Sequence, residues 1–209
     1  HPDGTIDSDA LSTLLHDQKD NGVDFFCVLG STAETPCLSA KEKLDVKNFV
    51  VDTLKGSHPV LLGFGGNCTK AVVDEIKDFD FCGVDGILSV VPFYNKPSQE
   101  GIYRHFMAIS EAAENMPLVL YNVPGRTGIN MLPETTLRIV NDAKNVIAIK
   151  EASGNVKQIA EIIKNAPENF EVLSGDDSLT CELLSLGATG VISVVGNAIP
   201  QQFSKMVHA

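Results

Sequence analysis

The sequence contains no tryptophan, only 3 tyrosines and no apolar run long enough to cross a membrane, which takes about 18–20 residues in a helix. We therefore expect no membrane partner. Basic residues are also scarce, since 16 Lys and Arg stand against 27 Asp and Glu, for a formal net charge of −11. Nucleic-acid-binding surfaces need clustered Lys and Arg, so we expect no nucleic-acid partner.

The five cysteines lack the spacing of a metal site or a redox motif. They are Cys27, Cys37, Cys68, Cys82 and Cys181, with no C-x-x-C pair and no histidine at ligand spacing. An odd number of scattered cysteines, several of them in apolar runs, predicts buried free thiols in a cytoplasmic protein. A zinc site is not expected.

Short apolar runs rich in β-branched residues alternate with longer amphipathic runs. The predicted strands cover 24–30, 59–64, 84–91, 117–121, 145–150, 170–175 and 189–195. Continuously apolar runs are typical of parallel strands that are covered on both faces. The clearest helix starts are a capping box at Ser39 and Glu42, openings at Thr69 and Ser98, and Pro133 in a first turn.

Repeated strand–helix units predict an α/β fold built from parallel β-α-β units. The sequence shows seven strands but eight helical stretches, the first at about 7–21, before any strand, and the last from about 199. Since a (β/α)8 TIM barrel has eight strands, we predict that 1–209 form a single barrel domain, incomplete at both ends and lacking strand 1. A doubly wound open sheet is the alternative, although no G-x-G-x-x-G motif follows an early strand.

Unusual polar residues follow the predicted strands at their carboxyl ends, where a (β/α)8 barrel carries its chemistry. They include Ser31 to Glu34, Tyr94 and Asn95, Tyr121 with 122–128, Lys150 with 151–154, and Gly175, Asp176 and Asp177. We interpret Asp176 and Asp177 as helix N-cap residues rather than metal ligands. The asymmetry between the two barrel ends predicts an active site.

Lys150 is the strongest candidate, because it ends the apolar run 146–149. Burial lowers the pKa of a lysine and releases the neutral amine, which attacks ketones. The alternative is a lysine that reaches solvent or pairs with Glu151.

Three other residues suit substrate chemistry. Tyr94 and Tyr121 could transfer protons through the hydroxyl of Ser31, although half-buried tyrosines with a wet tip are common. Arg126 lies in a Pro/Gly-rich turn, where its guanidinium suits a substrate carboxylate. A surface salt bridge is the alternative for this arginine.

Six motifs occur in order along the chain: GSTAE (30–34), PFYNKPSQEG (92–101), YNVPGRTG (121–128), IKEASG (149–154), SGDD (174–177) and GVISV (190–194). Together they resemble the dihydrodipicolinate synthase/N-acetylneuraminate lyase superfamily, and its dihydrodipicolinate synthase branch in particular. The resemblance implies a class I (Schiff-base) lyase that condenses pyruvate with L-aspartate 4-semialdehyde in lysine and diaminopimelate biosynthesis. It also implies no cofactor, a homotetramer built as a dimer of dimers, and a C-terminal helical domain beyond these residues.

The resemblance assigns residue roles as well. Lys150 matches the Schiff-base lysine and Tyr121 the tyrosine that transfers protons, with Ser31 and with Tyr94 from a neighbouring subunit. The matching substrate positions are Thr32 and the backbone of Ile192 for the pyruvate carboxylate, Arg126 for the acceptor carboxylate, and Gly175. No position matches a metal ligand.

The sequence departs from the family pattern at several positions. Ser31 keeps a hydroxyl where threonine is common, and Ala33 stands where glycine would allow more backbone conformations. Lys43, Ala71 and Phe93 replace histidine, glutamate and tyrosine of the family's lysine-feedback pocket, so we predict weak inhibition by lysine.

Other functions stay open at this point. One is a related pyruvate-dependent aldolase, such as an N-acetylneuraminate or keto-deoxy sugar acid lyase. Another is a non-catalytic ligand-binding homologue. A phosphate-binding isomerase is disfavoured because no glycine-rich phosphate loop follows the last strands.

Overall fold

The computed structural model describes residues 1–209. Seven strands form one sheet: β1 Phe26–Val28, β2 Val60–Gly63, β3 Gly86–Val90, β4 Leu118–Asn122, β5 Val146–Glu151, β6 Glu171–Ser174 and β7 Gly190–Val191. Every neighbouring pair is parallel and the order is sequential from β1 to β7. A doubly wound sheet reverses its strand order, so the sequential order confirms the predicted barrel architecture in the form of a curled, partial barrel.

The helices alternate with these strands. They are α1 Ser8–Asp20, α2 Ala40–Leu54, α3 Thr69–Asp78, α4 Gln99–Ala112, α5 Pro124–Thr127, α6 Pro133–Asp142, α7 Val156–Asn165, α8 Thr180–Ser185 and α9 Pro200–Val207. All of the predicted helical stretches are present, and the single turn α5 is an addition that the sequence did not predict. None of the helices combines the length and the hydropathy of a membrane-spanning segment.

Both faces of the sheet are buried, as the continuously apolar strands predicted. Between the sheet and the helices lies a core of 31 buried residues, which includes Leu62, Ile87 and Leu120. Inside the curled sheet lies a smaller cluster of 7 buried residues. Its members are Leu61, Leu88, Val119, Tyr121, Val123, Ala148 and Ile192. Successive strand residues alternate between these two faces, so the central strands β2 to β5 contribute to both clusters.

Three of the predicted helix starts are confirmed. Ser39 and Glu42 form a reciprocal capping box at α2, the Ser98 hydroxyl accepts a hydrogen bond from the Gly101 amide, and Pro133 opens α6. The fourth predicted start is also present, because α3 begins at Thr69, although Cys68 and not Thr69 occupies its N-cap position.

The cysteines are free, as predicted, but the prediction that they are buried was wrong for four of them. Only Cys27, on β1, is partly buried, whereas Cys37, Cys68, Cys82 and Cys181 are exposed. The physical reason is that these four cysteines lie on helices or in the turns beside them, whereas Cys27 lies on a strand.

The hydroxyl of Thr69 bonds to Nδ1 of His105 at 2.9 Å and joins α3 to α4. His105 is only 2% exposed and its Nε2 atom is buried without a partner. Burial lowers the pKa of this imidazole from 6.5 to about 4. The ring is therefore neutral in the folded protein at neutral pH.

We predict that His105 makes the protein acid-sensitive. Because its folded pKa is depressed, its stabilising contribution is complete above about pH 6.5 and is lost as the pH falls towards 4, by about 3 kcal/mol. Urea unfolding between pH 7 and 4 measures this loss, and His105→Gln should flatten it. The exposed His16→Gln on α1 is the matched control, and equal flattening by that variant would contradict the assignment.

Candidate active site

The interior of the barrel opens into a cavity of about 980 Å³ between the edge strands β1 and β7. Most of its wall is apolar, and the polar residues Ser31, Thr32 and Lys150 line it together with Ile192. Four of the predicted site residues therefore face one common cavity. The cavity also extends past α1, α2 and α9, so only the part beside Ser31, Lys150 and Ile192 lies at the carboxyl ends of the strands.

Lys150 lies in this cavity at the carboxyl end of β5. Its side chain is buried, with 7% of the residue exposed, and it makes no ion pair. The alternatives of a lysine that reaches solvent or pairs with Glu151 are therefore not what the structure shows. Tyr121 stands opposite on β4, and the Lys150 Nζ atom lies 4.5 Å from the centre of its ring.

The surroundings of Lys150 favour its neutral amine. Burial is the largest influence and lowers the pKa of the amine below its usual range. Cys27 and Asp177 act in the opposite direction, whereas the nearby guanidinium of Arg126 lowers the pKa further. The balance favours a lysine that can act as a nucleophile.

Tyr121 and Ser31 form the hydroxyl pair of the site. The Tyr121 hydroxyl lies 3.3 Å from Oγ of Ser31, within hydrogen-bond distance. Burial raises the pKa of Tyr121, and the bond to Ser31 partly offsets that increase. The hydroxyl therefore carries its proton at neutral pH. Ser31 begins a 3₁₀ turn, Ser31–Ala33. Glu34, which follows the turn, has a left-handed backbone (φ 51°), whereas Ala33 does not, so the turn does not need glycine at position 33.

Two predicted residues lie further out, at the rim. Tyr94 has a left-handed backbone (φ 70°), is 84% exposed, and its hydroxyl makes no hydrogen bond, so within one chain it does not join Tyr121 and Ser31. Arg126 is exposed on α5 and makes no ion pair, so it is not the surface salt bridge considered above. Its guanidinium nevertheless influences the pKa values of Lys150 and Tyr121.

Gly175 lies directly against the Lys150 side chain. A Cβ atom at this position would come within 2.7 Å of Cβ of Ala152 and 3.1 Å of Cγ and Cε of Lys150. The Gly175 amide also donates a 2.8 Å hydrogen bond to the carbonyl of Glu151. Only glycine leaves room for the lysine stem at this point.

The two aspartates after β6 do different things. Asp176 is an N-cap, as predicted, and accepts a hydrogen bond from the Ser178 amide at 2.9 Å. The N-cap prediction was wrong for Asp177, whose Oδ2 accepts from the amides of Val194 and Val195, both at 2.9 Å. Asp177 therefore joins the loop after β6 to the loop after β7, and its Oδ1 atom is buried without a partner.

Sequence reasoning missed two features of the site. Cys27, treated only as a structural thiol, lies close enough to Lys150 and Tyr121 to influence both pKa values, and burial raises its own pKa to about 11. The alternation of β1 could have indicated this inward position. The burial of Asn122 and Glu151 was also not predicted, although both lie in the polar segments described above, because each is the outward-facing neighbour of a more conspicuous residue.

Comparison with known proteins gives one family. The family model described as the dihydrodipicolinate synthetase family matches residues 1–209. A 4-hydroxy-tetrahydrodipicolinate synthase of Phocaeicola vulgatus is 58% identical over 206 residues, which are 99% of this chain and 69% of that protein.

Solved structures agree with the sequence comparison. The crystal structure of dihydrodipicolinate synthase from Aquifex aeolicus has a TM-score of 0.94 and 39% identity, covering 99% of this chain and 70% of that one. The chloride-inhibited enzyme from Acinetobacter baumannii, complexed with pyruvate, has a TM-score of 0.92 and 37% identity, covering 97% and 69%. The chain is therefore an enzyme that belongs to the dihydrodipicolinate synthetase family.

Proposed function

We propose that this enzyme condenses pyruvate with L-aspartate 4-semialdehyde through an imine on Lys150, giving 4-hydroxy-tetrahydrodipicolinate. The observation that carries the proposal is the buried amine of Lys150, unpaired and 4.5 Å from the ring of Tyr121. Its relative from Acinetobacter baumannii is described as complexed with pyruvate, which supports pyruvate as the first substrate.

Pyruvate binding comes first in the proposed mechanism. Thr32 and Ile192 line the same cavity as Lys150, and the Thr32 hydroxyl is available to the pyruvate carboxylate, whereas the Ile192 amide already donates to the carbonyl of Ser174 at 2.9 Å. The keto carbon then lies towards the lysine. The mostly apolar wall excludes water, which strengthens these polar contacts.

Imine formation uses the neutral amine. The nitrogen lone pair forms a C–N bond to the keto carbon, and the carbonyl oxygen takes a proton from the Tyr121 hydroxyl and becomes a hydroxyl group. The nitrogen then gives up a proton, which returns to Tyr121 through Ser31, 3.3 Å away. The hydroxyl group takes a second proton from the Tyr121 hydroxyl and leaves as water, so that a protonated C=N bond and the Tyr121 phenolate remain.

The second substrate then reacts at the methyl carbon of the bound pyruvate. A methyl proton of the protonated imine passes to the Tyr121 phenolate, which gives an enamine. The enamine carbon forms a C–C bond to the aldehyde carbon of the semialdehyde, and the aldehyde oxygen takes the proton back from Tyr121 and becomes a hydroxyl group. The amino group of that substrate displaces Lys150 from the imine carbon, which closes the ring and frees the enzyme. Arg126, exposed and without an ion pair, is the group we assign to the carboxylate of this substrate.

Tyr94 suggests that the active enzyme is an assembly. Its exposed ring and left-handed backbone hold the hydroxyl away from its own chain. We assign this hydroxyl to the site of a neighbouring copy, where it completes the proton transfer with Tyr121 and Ser31. The assembly we propose is a homotetramer built as a dimer of dimers.

The imine is tested by reduction with borohydride in the presence of pyruvate. We expect a covalent adduct by intact mass, at a rate that rises with pH through an inflection below the ordinary lysine pKa of 10.5, because burial lowers that pKa. Lys150→Ala should form no adduct, whereas Lys144→Ala, at the exposed end before β5, should react like the wild type. An equal adduct in both variants would remove Lys150 from the mechanism.

Gly175→Ala should slow adduct formation by about 10- to 100-fold, since an added methyl group displaces the lysine stem and small misplacements of a reacting group have effects of this size. The rate of borohydride trapping measures the change. Gly196→Ala is the control, because its added Cβ meets only ordinary contacts with Ser193, at 3.4 Å or more. Equal rates in the two variants would contradict the packing argument.

Arg126→Lys keeps the charge but loses the planar pair of donors. We expect the KM for aspartate semialdehyde to rise by about 10- to 100-fold, because a loss of this size corresponds to the free energy of hydrogen bonds to a charged group. Trapping with pyruvate alone should keep its rate. Faster turnover with N-acetylmannosamine than with aspartate semialdehyde in the wild type would favour the related sugar acid lyase instead.

A further inference from the structure

A second pair of polar residues lies on the other face of the same two strands. Tyr121 pairs in register with Lys150, and the next residues, Asn122 and Glu151, pair in register directly beside them. Because side chains alternate along a strand, the first pair points into the barrel and the second points towards the helices. Asn122 and Glu151 are both 0% exposed.

The Glu151 carboxylate is buried among hydrogen-bond donors and has no cation as a partner. Asn122 donates to its oxygens at 3.1 and 3.2 Å, Gln158 at 3.1 Å and the Ser153 amide at 2.8 Å. Burial raises the pKa of this carboxyl group, and the three donors partly offset the increase. No lysine, arginine or histidine forms an ion pair with it.

The donors cannot be reversed, because each amide is fixed at its other end. The Asn122 side-chain oxygen accepts from the Met131 amide at 3.0 Å, and the Gln158 side-chain oxygen accepts from Asn130 at 2.7 Å. Both amino groups must therefore face Glu151. A backbone amide such as that of Ser153 can only donate. The arrangement suits a group that accepts hydrogen bonds with both oxygens, which is a carboxylate and not an amide.

These hydrogen bonds hold together the segments that carry the site. Ser153 lies in the loop that follows Lys150, and Gln158 lies on α7. Asn122 follows Tyr121 and also donates to Asn130 at 2.8 Å, in the loop that continues from α5 and Arg126. Any slip or rotation of β4 against β5 would separate the inner pair and break the outer hydrogen bonds together.

We propose that Glu151 is a positioning residue, whose carboxylate fixes β4 and the following loops against β5 and so holds Lys150 and Tyr121 at the distance that imine formation needs. The proposal rests on the function proposed above. A buried charge without an opposite charge destabilises a fold, and apolar residues fill the neighbouring outward positions Leu120 and Ile149. Retaining a carboxylate here fits a requirement of the site and not of the core.

The test compares Glu151→Gln with Asn145→Asp. Glu151→Gln replaces the carboxylate by an amide of the same shape. One accepting oxygen then becomes an NH₂ group, which faces the donors of Asn122, Gln158 and Ser153. The second makes the reverse exchange at Asn145, immediately before β5, where the side chain donates to the carbonyls of Ser110 and Met116 at 3.1 and 3.2 Å. Both variants disturb buried polar contacts beside the same strand, but at opposite ends of it.

The quantity that tests the proposal is the rate of borohydride trapping with pyruvate as a function of pH, at a temperature where circular dichroism shows that each variant is folded. Glu151→Gln should lower the plateau rate by about 10- to 100-fold and leave the pH of the inflection unchanged, because the amine keeps its burial but loses its alignment. Asn145→Asp should lower the melting temperature and keep the wild-type rate. A merely structural role for Glu151 would change the melting temperature alone.

The outcomes separate the two proposals. If the wild type forms the adduct and Glu151→Gln has the same plateau trapping rate, the positioning role is overturned and the proposed function is left intact. No adduct in the wild type overturns the proposed function itself. If Glu151→Gln does not fold, Gln158→Met removes one donor from the buried face of α7, and we expect the plateau trapping rate to drop by about threefold or more. An unchanged rate in that variant overturns the positioning role as well.

Discussion

The site depends on removing one amine from water. In the proposed mechanism Lys150 reacts as a neutral amine, because the apolar interior of the curled sheet and the residues around it bury its side chain and lower its pKa. The same burial destabilises the fold at neutral pH, because a lysine with a lowered folded pKa binds fewer protons when folded than when unfolded. The large helix-covered core of 31 residues offsets this cost. Chemistry at the inner face is thus supported by packing at the outer face.

Parallel, sequential pairing explains how residues far apart in sequence meet. Each strand ends at the same edge of the sheet, so Ser31, Tyr121 and Lys150 come together although they lie far apart in the sequence, with 90 positions between Ser31 and Tyr121. Register then sets the fine geometry, since Tyr121 and Lys150 occupy one rung and Asn122 and Glu151 the next. One strand pair thereby carries reacting groups on one face and a buried polar network on the other.

The sequence predicted most of the architecture, because apolar runs and helix caps are local signals. Every predicted strand overlaps an observed one, but β1 and β7 are much shorter than predicted, since each has a hydrogen-bonded neighbour on one side only. The α5 turn was missed because Pro124 to Thr127 is too short to show a period. Lys150 and Tyr121 could be identified from strand ends and from the family resemblance.

The partners of other residues could not be predicted locally. Asp177 bonds to amides 17 and 18 residues away, and Thr69 bonds to a histidine 36 residues away, so their roles depend on how whole elements pack. The burial of Glu151 and Asn122 was not predicted, because polar residues at strand ends usually face solvent. Only the helices above them show that they are enclosed.

Cys27 gives the burial of this site a further consequence. The cavity holds two side chains that could attack a carbonyl carbon, an amine and a thiol. Burial disfavours the charged form of both groups, but it changes their reactivity in opposite directions. The amine of Lys150 becomes more reactive because it attacks in its neutral form, whereas the thiol of Cys27 becomes less reactive because it attacks as the thiolate. With a pKa of about 11, Cys27 is protonated at neutral pH. In the proposed reaction, burial therefore favours attack on the substrate by the nitrogen of Lys150 over attack by the sulfur of Cys27.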